Sequence, residues 1–221
     1  MKDFAAARTK MVDSQLRTES VTDYGILAVM GEVPRELFVP PGQVALAYLD
    51  RDVPLDAGGN GPRYLMEAAP FARLLQLAAL RPPDRVLDIG CGSGYSAAVM
   101  ARLAGTVVAL ESDAGLAGQA SAALAGLGIT NVSVVVGPLE MGHASTGPFD
   151  AIIVEGAVEV VPPALFAQLA ENGRLIAVVG AGRSAVATEF VSSEGKVGRR
   201  AAFDMGVRPL PGFRKPAAFV F

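Results

Sequence analysis

Three features of this sequence predict an α/β fold with a mostly parallel sheet. Short apolar or β-branched runs alternate with helical segments from residue 65 onward, the run 85–89 passes straight into alternate glycines at Gly90, Gly92 and Gly94, and after residue 182 two strand-like runs flank a turn. Strands that alternate with helices need crossover connections and so pair in parallel. Near-continuous apolar strands suit sheet positions covered on both faces.

Residues 4–30 carry apolar side chains at three- and four-residue spacing, with Thr22-Asp23 as a helix start, which predicts two short helices capping the main body. The stretch 34–62 holds Pro40-Pro41, Pro54 and Gly58-Gly59-Asn60-Gly61, a density of breakers that predicts irregular structure on the substrate side. Helices are expected at 65–80, 95–104, 114–127 and 163–169, and strands at 85–89, 106–110, 132–136, 151–154 and 174–179. The runs 185–192 and 197–203 about Ser193-Glu194-Gly195-Lys196 predict antiparallel strands, and 217–221 would close the sheet edge. The expected organisation is a cap and substrate-side segment over 1–62 on a core over 63–221, together one compact domain.

With 221 residues, 51% of them apolar, the chain can bury one substantial core. A net charge of -3 without a Lys/Arg-rich run leaves no footprint for nucleic acid or an anionic membrane as partner. One cysteine and one histidine cannot form an internal disulfide or a structural zinc site, so no metal is expected. The charged opening Met1-Lys2-Asp3-Phe4 and the lack of a membrane-length apolar run lead to the expectation of a cytoplasmic protein.

The glycines stand where a buried strand must turn into a helix, letting backbone approach a ligand that a Cβ would exclude. Glu111 follows the next strand, where a carboxylate can accept both hydroxyls of a ribose. A dinucleotide fingerprint would need a further glycine at the place of the bulky Tyr95, and no Gly-Lys-Ser/Thr follows to meet a γ-phosphate. NAD, FAD and nucleoside triphosphates are thereby disfavoured, and a nucleoside without phosphates remains. Asp88 either hydrogen-bonds the loop amides or faces the ligand, Cys91 fills a small space, and His143 is a solvated loop residue.

The run Val86-Leu87-Asp88-Ile89-Gly90-Cys91-Gly92-Ser93-Gly94-Tyr95 resembles motif I of class I S-adenosylmethionine-dependent methyltransferases, which have a Rossmann-like fold. Together with Val33-Pro34-Arg35-Glu36-Leu37-Phe38-Val39-Pro40 and Phe149-Asp150-Ala151-Ile152-Ile153-Val154, it is similar to the protein-L-isoaspartate O-methyltransferases over most of the chain. The resemblance implies S-adenosylmethionine as cofactor, bound by Asp88, Gly90, Gly92, Gly94, Tyr95 and Glu111. It implies as substrate a protein or peptide bearing isoaspartate, whose carboxylate is methylated and then collapses to a succinimide, repairing the damage.

Three departures bear on that expectation. The family's Gly-Gln-Thr-Ile-Ser signature is replaced, with Arg63-Tyr64-Leu65-Met66 in place of Gln-Thr-Ile-Ser. Gly137-Pro138 stands where the family has Gly-Asp to meet the adenine amine, and proline has no N–H to donate. Glu155 places a carboxyl where the family has small or hydroxyl residues; an unpaired carboxylate there would oppose an anionic substrate unless it points away, is neutralised by Arg63, or serves a different acceptor. Arg63, Tyr64, Met66 and Glu155 are therefore expected to shape the acceptor pocket, with Tyr64, Met66 and Glu155 as the candidate catalytic residues. A methyltransferase with another acceptor, using Glu155 as base, and a non-catalytic cofactor-binding or protein-interaction module are the alternatives.

Overall fold

The computed structural model describes residues 3–56 and 61–215. Helix α1 (Phe4–Met11) starts at Asp3, whose carboxylate accepts the Ala6 N–H at 3.0 Å, and continues into a π-helical turn, Val12–Leu16. Asp23 does the same for Ile26 at the start of α2 (Tyr24–Glu32), so the Thr22-Asp23 start is observed. The breaker-rich stretch is not wholly irregular. Its β1 (Val53–Leu55) pairs antiparallel with β2 (Arg63–Leu65), placing Val53 opposite Leu65 and Leu55 opposite Arg63. The helix expected from residue 65 begins only at Ala68, as α3 (Ala68–Ala78), because Leu65 is held in that hairpin with its side chain buried.

The main sheet is built from β3 (Arg85–Ile89), β4 (Thr106–Glu111), β5 (Val132–Val136), β6 (Phe149–Val158), β7 (Leu169–Val179), β8 (Val186–Ser193) and β9 (Lys196–Asp204), in the order β5-β4-β3-β6-β7-β8-β9. The first five are parallel, and β7–β8 and β8–β9 are antiparallel. Helices α4 (Tyr95–Met100), α5 (Ala114–Gly126) and α6 (Pro163–Phe166) make the crossovers. The expected helix at 163–169 is shortened because Leu169 already pairs with Phe149 as the start of β7. The proposed edge strand at 217–221 lies outside the described residues.

Side chains of β3 alternate between the two faces. Val86 joins the apolar cluster formed with α1, α2, α3 and α4, which includes Met11, Met30, Phe71 and Val99, whereas Leu87 and Ile89 join Leu110, Phe149 and Leu165 on the other face. Asp88 must therefore point toward α4. Chain order reverses between β3 and β6, and ligands of open α/β sheets bind at the carboxyl ends of strands at such a switch point.

Arg174 on β7 fastens α3 to the sheet by donating to the carbonyls of Ala78, Ala79 and Asp150 and pairing with Asp84 at 2.6 Å. Arg174→Met leaves these partly buried acceptors unpaired and should lower stability by about 2–3 kcal/mol, read as a lower urea midpoint at unchanged slope. Beyond β9 the chain returns as a strap over 207–213. Ala157 donates to the Arg208 carbonyl at 2.8 Å, Leu210 donates to the Ala157 carbonyl at 2.9 Å, and Glu159 donates to the Phe213 carbonyl at 3.1 Å, which draws the strap across the carboxyl end of β6.

Candidate active site

The turn after β3 is pinned by three backbone bonds: Gly90 and Cys91 N–H both donate to the Leu110 carbonyl, at 2.8 and 3.3 Å, and Gly94 N–H donates to the Cys91 carbonyl at 2.9 Å. Gly90, Gly92 and Gly94 have φ of +85°, +56° and +95°, which glycine alone adopts at little cost. Their environments differ. A Cβ on Gly90 would meet Leu210 at 2.9 Å and Arg63 Nη2 at 3.2 Å, and one on Gly92 would meet Leu55 at 2.8 Å, so these two positions face the cleft. At Gly94 it would meet Ala120 of α5, Cβ at 2.9 Å and Cα at 3.1 Å, a helix-packing contact. Gly94→Ala should therefore cost about 2–4 kcal/mol of stability from strain and overpacking, measured by chemical denaturation.

Glu111 ends β4 fully buried, with its charge heavily compensated. Oε1 accepts from Arg63 Nη1 at 2.8 Å and from the amides of Ser112 and Asp113 at 2.7 and 3.1 Å, and Oε2 accepts from the Gly92 amide at 2.8 Å. The second amino group of Arg63, Nη2, donates to the Gly90 carbonyl at 2.9 Å. Arg63 thus bridges the glycine turn and the carboxylate expected to take a ribose. Arg63 was expected to shape the acceptor pocket; its guanidinium lies against Glu111 and the Gly90 carbonyl.

Asp88 is buried toward α4, where Oδ2 accepts from Ser96 Oγ at 2.6 Å and Oδ1 has no hydrogen-bond partner. Burial is the main reason its carboxyl is pushed up to about 7; the Ser96 bond opposes the shift and Glu111 adds to it. Tyr95 packs inward against Phe38 and Phe71, beneath the guanidinium of Arg35, which lies 4.8 Å from the ring centroid. Arg35 is itself buried, donating to the carbonyls of Ala47 and Met66, and so ties the N-terminal segment to the site.

Tyr64, Met66 and Glu155 come together, with Leu55, Phe71, Gly90, Cys91 and Ser96, around a cavity of only about 10 Å³. Of the three expectations for Glu155, pointing away is excluded: its Oε1 is buried without a hydrogen-bond partner. Burial first, then Asp88, raises its carboxyl well above the usual carboxylate range, with Arg63 opposing. Burial also raises the Cys91 thiol, in keeping with a space-filling residue. His143 is half-buried in the loop after β5, bonded to Ser145, and does not line this cavity.

Two larger grooves flank the closed centre, and Pro211 and Gly212 of the strap line both. One of about 520 Å³ runs along Ser112, Gly137, Pro138, Leu139 and Glu140 at the ends of β4 and β5. The other, about 630 Å³, is lined by Tyr64, Glu159, Arg208 and Arg214, with Arg208 stacked 4.9 Å above the Tyr64 ring. Glu140 was not a candidate from sequence; it lies two residues beyond the proline and supplies this groove with the carboxylate that Pro138 lacks.

The switch point, the glycine turn, the carboxylate closing β4 and a groove beside it fit a nucleoside cofactor, while Leu55, Arg63 and Leu210 take up the space directly over the turn. Fold and site together define a class I methyltransferase with a Rossmann-like sheet. The family model for protein-L-isoaspartate(D-aspartate) O-methyltransferase matches residues 6–208. A protein-L-isoaspartate O-methyltransferase of Methanoregula boonei is 39% identical over 92% of this chain and 91% of its own, and one of Koribacter versatilis is 41% identical over 80% and 78%. A solved protein-L-isoaspartate O-methyltransferase superposes with a TM-score of 0.80 at 28% identity, covering 92% of this chain and 65% of its own. A Plasmodium falciparum chain crystallised with S-adenosyl-L-homocysteine shares the fold, with a TM-score of 0.75 at 22% identity over 93% of this chain and 98% of its own. The chain belongs to the protein-L-isoaspartate(D-aspartate) O-methyltransferase family.

Leu55, Leu210, Ser96 and Arg35 were not candidates from the sequence. Ser96 lies one residue past the glycine motif, where Asp88 i+8 across a strand–helix turn is a readable spacing. Leu210 had no local signal, since its contact depends on the return of the strap.

Proposed function

We propose that this chain transfers the methyl group of S-adenosylmethionine to the free carboxylate of isoaspartyl residues in damaged proteins or peptides. Membership of the family supports this reading, and the observation that carries it on this chain's own residues is the cavity that Tyr64, Met66 and Glu155 form against Gly90 and Cys91 of the glycine turn, where burial favours the neutral form of Glu155. An ionised Glu155 would repel the incoming carboxylate; a protonated one removes that penalty and can donate a hydrogen bond to it.

In this reading Gly90 and Gly92 let backbone approach the cofactor, Glu111 accepts the ribose hydroxyls, and Ser112 with the Gly137-Pro138 to Glu140 groove takes the adenine. Asp88, held by Ser96, orients the loop from beneath, Gly94 packs it on α5, and Tyr95 supports it from the core. The cofactor supplies an activated methyl group, so the protein's task is alignment and exclusion of water. An acceptor carboxylate is already ionised and needs no general base. Met66 gives the cavity an apolar wall, and Tyr64 joins it to the outer groove, where the rest of a peptide would lie.

The unpartnered Glu155 oxygen favours one second reading, an amine or hydroxyl acceptor for which Glu155 in its ionised form is the proton acceptor. Incubating the protein and S-adenosylmethionine with an isoaspartyl peptide and following the peptide by chromatography separates the two. Methyl ester and then succinimide and aspartyl products are expected. A stable N- or O-methyl product on another substrate, with the isoaspartyl peptide unchanged, would establish the second reading.

A further inference from the structure

Arg63 stands where the family signature has glutamine, and its buried position raises a conflict. Glu111 cannot take both ribose hydroxyls, one on each oxygen, while Oε1 already receives Arg63 Nη1 and the amides of Ser112 and Asp113; Oε2, with the Gly92 amide, has room for one. The amides are fixed by the chain; the guanidinium is the partner that can leave. Its side chain is 3% exposed, so it has no free path to solvent, and the segment carrying it also supplies Tyr64 and Met66 to the acceptor cavity. The anionic or acidic groups in that direction are Asp88 and Glu155, both of which Arg63 influences electrostatically from where it sits. A guanidinium displaced from Glu111 therefore moves toward the cavity lined by Gly90 and Glu155, whose Oε1 is unpartnered, with the unpartnered Oδ1 of Asp88 buried behind the glycine turn.

We propose that Arg63 is a specificity-determining switch: it pairs with Glu111 when the cofactor is absent, and when the ribose claims Glu111 it turns into the acceptor cavity and binds the carboxylate of the methyl acceptor. The inference rests on the isoaspartyl reading above. It makes binding ordered, because the acceptor's cationic partner becomes available only once the cofactor is bound. By reciprocity, acceptor and cofactor each strengthen the other's binding by the same factor. Arg63 also lowers apparent cofactor affinity, because the ribose must displace it, as for any ligand whose competent state is a minor one.

The test measures S-adenosylhomocysteine affinity by calorimetry and binding of a fluorescent isoaspartyl peptide by anisotropy, with and without saturating S-adenosylhomocysteine, on wild type, Arg63→Gln, Arg63→Ala and Arg63→Lys. Glutamine is the family's own residue at this position and guards against a folding failure of the alanine variant. Wild type should bind the peptide at least tenfold more tightly with S-adenosylhomocysteine present. Arg63→Gln should bind S-adenosylhomocysteine at least fivefold more tightly than wild type yet lose the cofactor-dependent gain in peptide binding, and Arg63→Lys should restore part of that gain. Opposite changes for the two ligands are not what a merely structural defect produces.

Unchanged or weaker S-adenosylhomocysteine binding by Arg63→Gln would overturn the switch, as would peptide binding that ignores the cofactor. Labelled methyl transfer by wild type in the same preparation keeps the two readings apart. Transfer to the isoaspartyl peptide alongside unchanged cofactor affinity in Arg63→Gln removes the switch and leaves the isoaspartyl reading standing. Tightened cofactor binding with no peptide binding or transfer overturns the isoaspartyl reading, and the acceptor half of the switch with it.

Discussion

Glu111→Ala should abolish measurable S-adenosylhomocysteine binding and also destabilise the protein. The carboxylate receives Arg63 and the amides of Gly92, Ser112 and Asp113, so its removal unpins the glycine turn from β4 and leaves the Arg63 guanidinium buried with only the Gly90 carbonyl as partner. Breaking a buried pair by removing one member costs about 3–5 kcal/mol, because the stranded charge remains desolvated. Glu111→Gln isolates the binding role. It keeps the shape and one acceptor oxygen but loses charge-assisted bonds, which should weaken S-adenosylhomocysteine by about 2 kcal/mol, roughly 30-fold. Calorimetry on the glutamine variant, with its fold checked by thermal denaturation, makes the measurement. Unchanged affinity would remove Glu111 from the cofactor site.

The second large effect is a dependence of stability on pH in an unusual direction. Asp88 and Glu155 are carboxyl groups whose pKa is raised on folding, Asp88 to about 7, chiefly by burial. Between the unfolded value of about 4 and the folded one, the native state holds more protons than the unfolded state, so stability falls as pH rises. The penalty is absent below the unfolded pKa and complete above the folded one. Glu155→Gln and Asp88→Asn should therefore be more stable than wild type at pH 8, by about 1–3 kcal/mol, with the advantage largely gone by pH 4. Urea denaturation at both pH values tests this. A wild type whose advantage over Glu155→Gln grew with pH would mean that Glu155 is ionised and paired in the native state.

The parallel strands and the glycine turn were legible because their signals are local. The apolar strands 85–89, 106–110 and 132–136, each flanked by a helix, allow little other than parallel pairing, and the observed β3, β4 and β5 begin and end within one residue of them. The hairpin of Val53–Leu55 with Arg63–Leu65 escaped because three-residue strands carry too little alternation, and Pro54 argues against a strand until pairing at an edge accommodates it. Glu111 and the glycines were readable as a site from their position after strands. The orientation of Arg63 was not, since it depends on the β1–β2 hairpin folding back over the glycine turn. The same holds for Leu210, brought to Gly90 by pairing with Ala157, which lies 53 positions earlier in the chain. Arg35 shows the limit from the other side: it belongs to a segment that supported the family resemblance, yet nothing local marks it as a fully buried cation held by two carbonyls and an aromatic face.

The chemical claim is tested most directly by transfer of labelled methyl from S-adenosylmethionine to an isoaspartyl peptide and, side by side, to its aspartyl twin. Base-labile label on the isoaspartyl peptide and none on the aspartyl one is the predicted result. Equal labelling of both, or tight cofactor binding with neither labelled, would contradict an isoaspartyl acceptor and require that the cavity of Tyr64, Met66 and Glu155 serve another group.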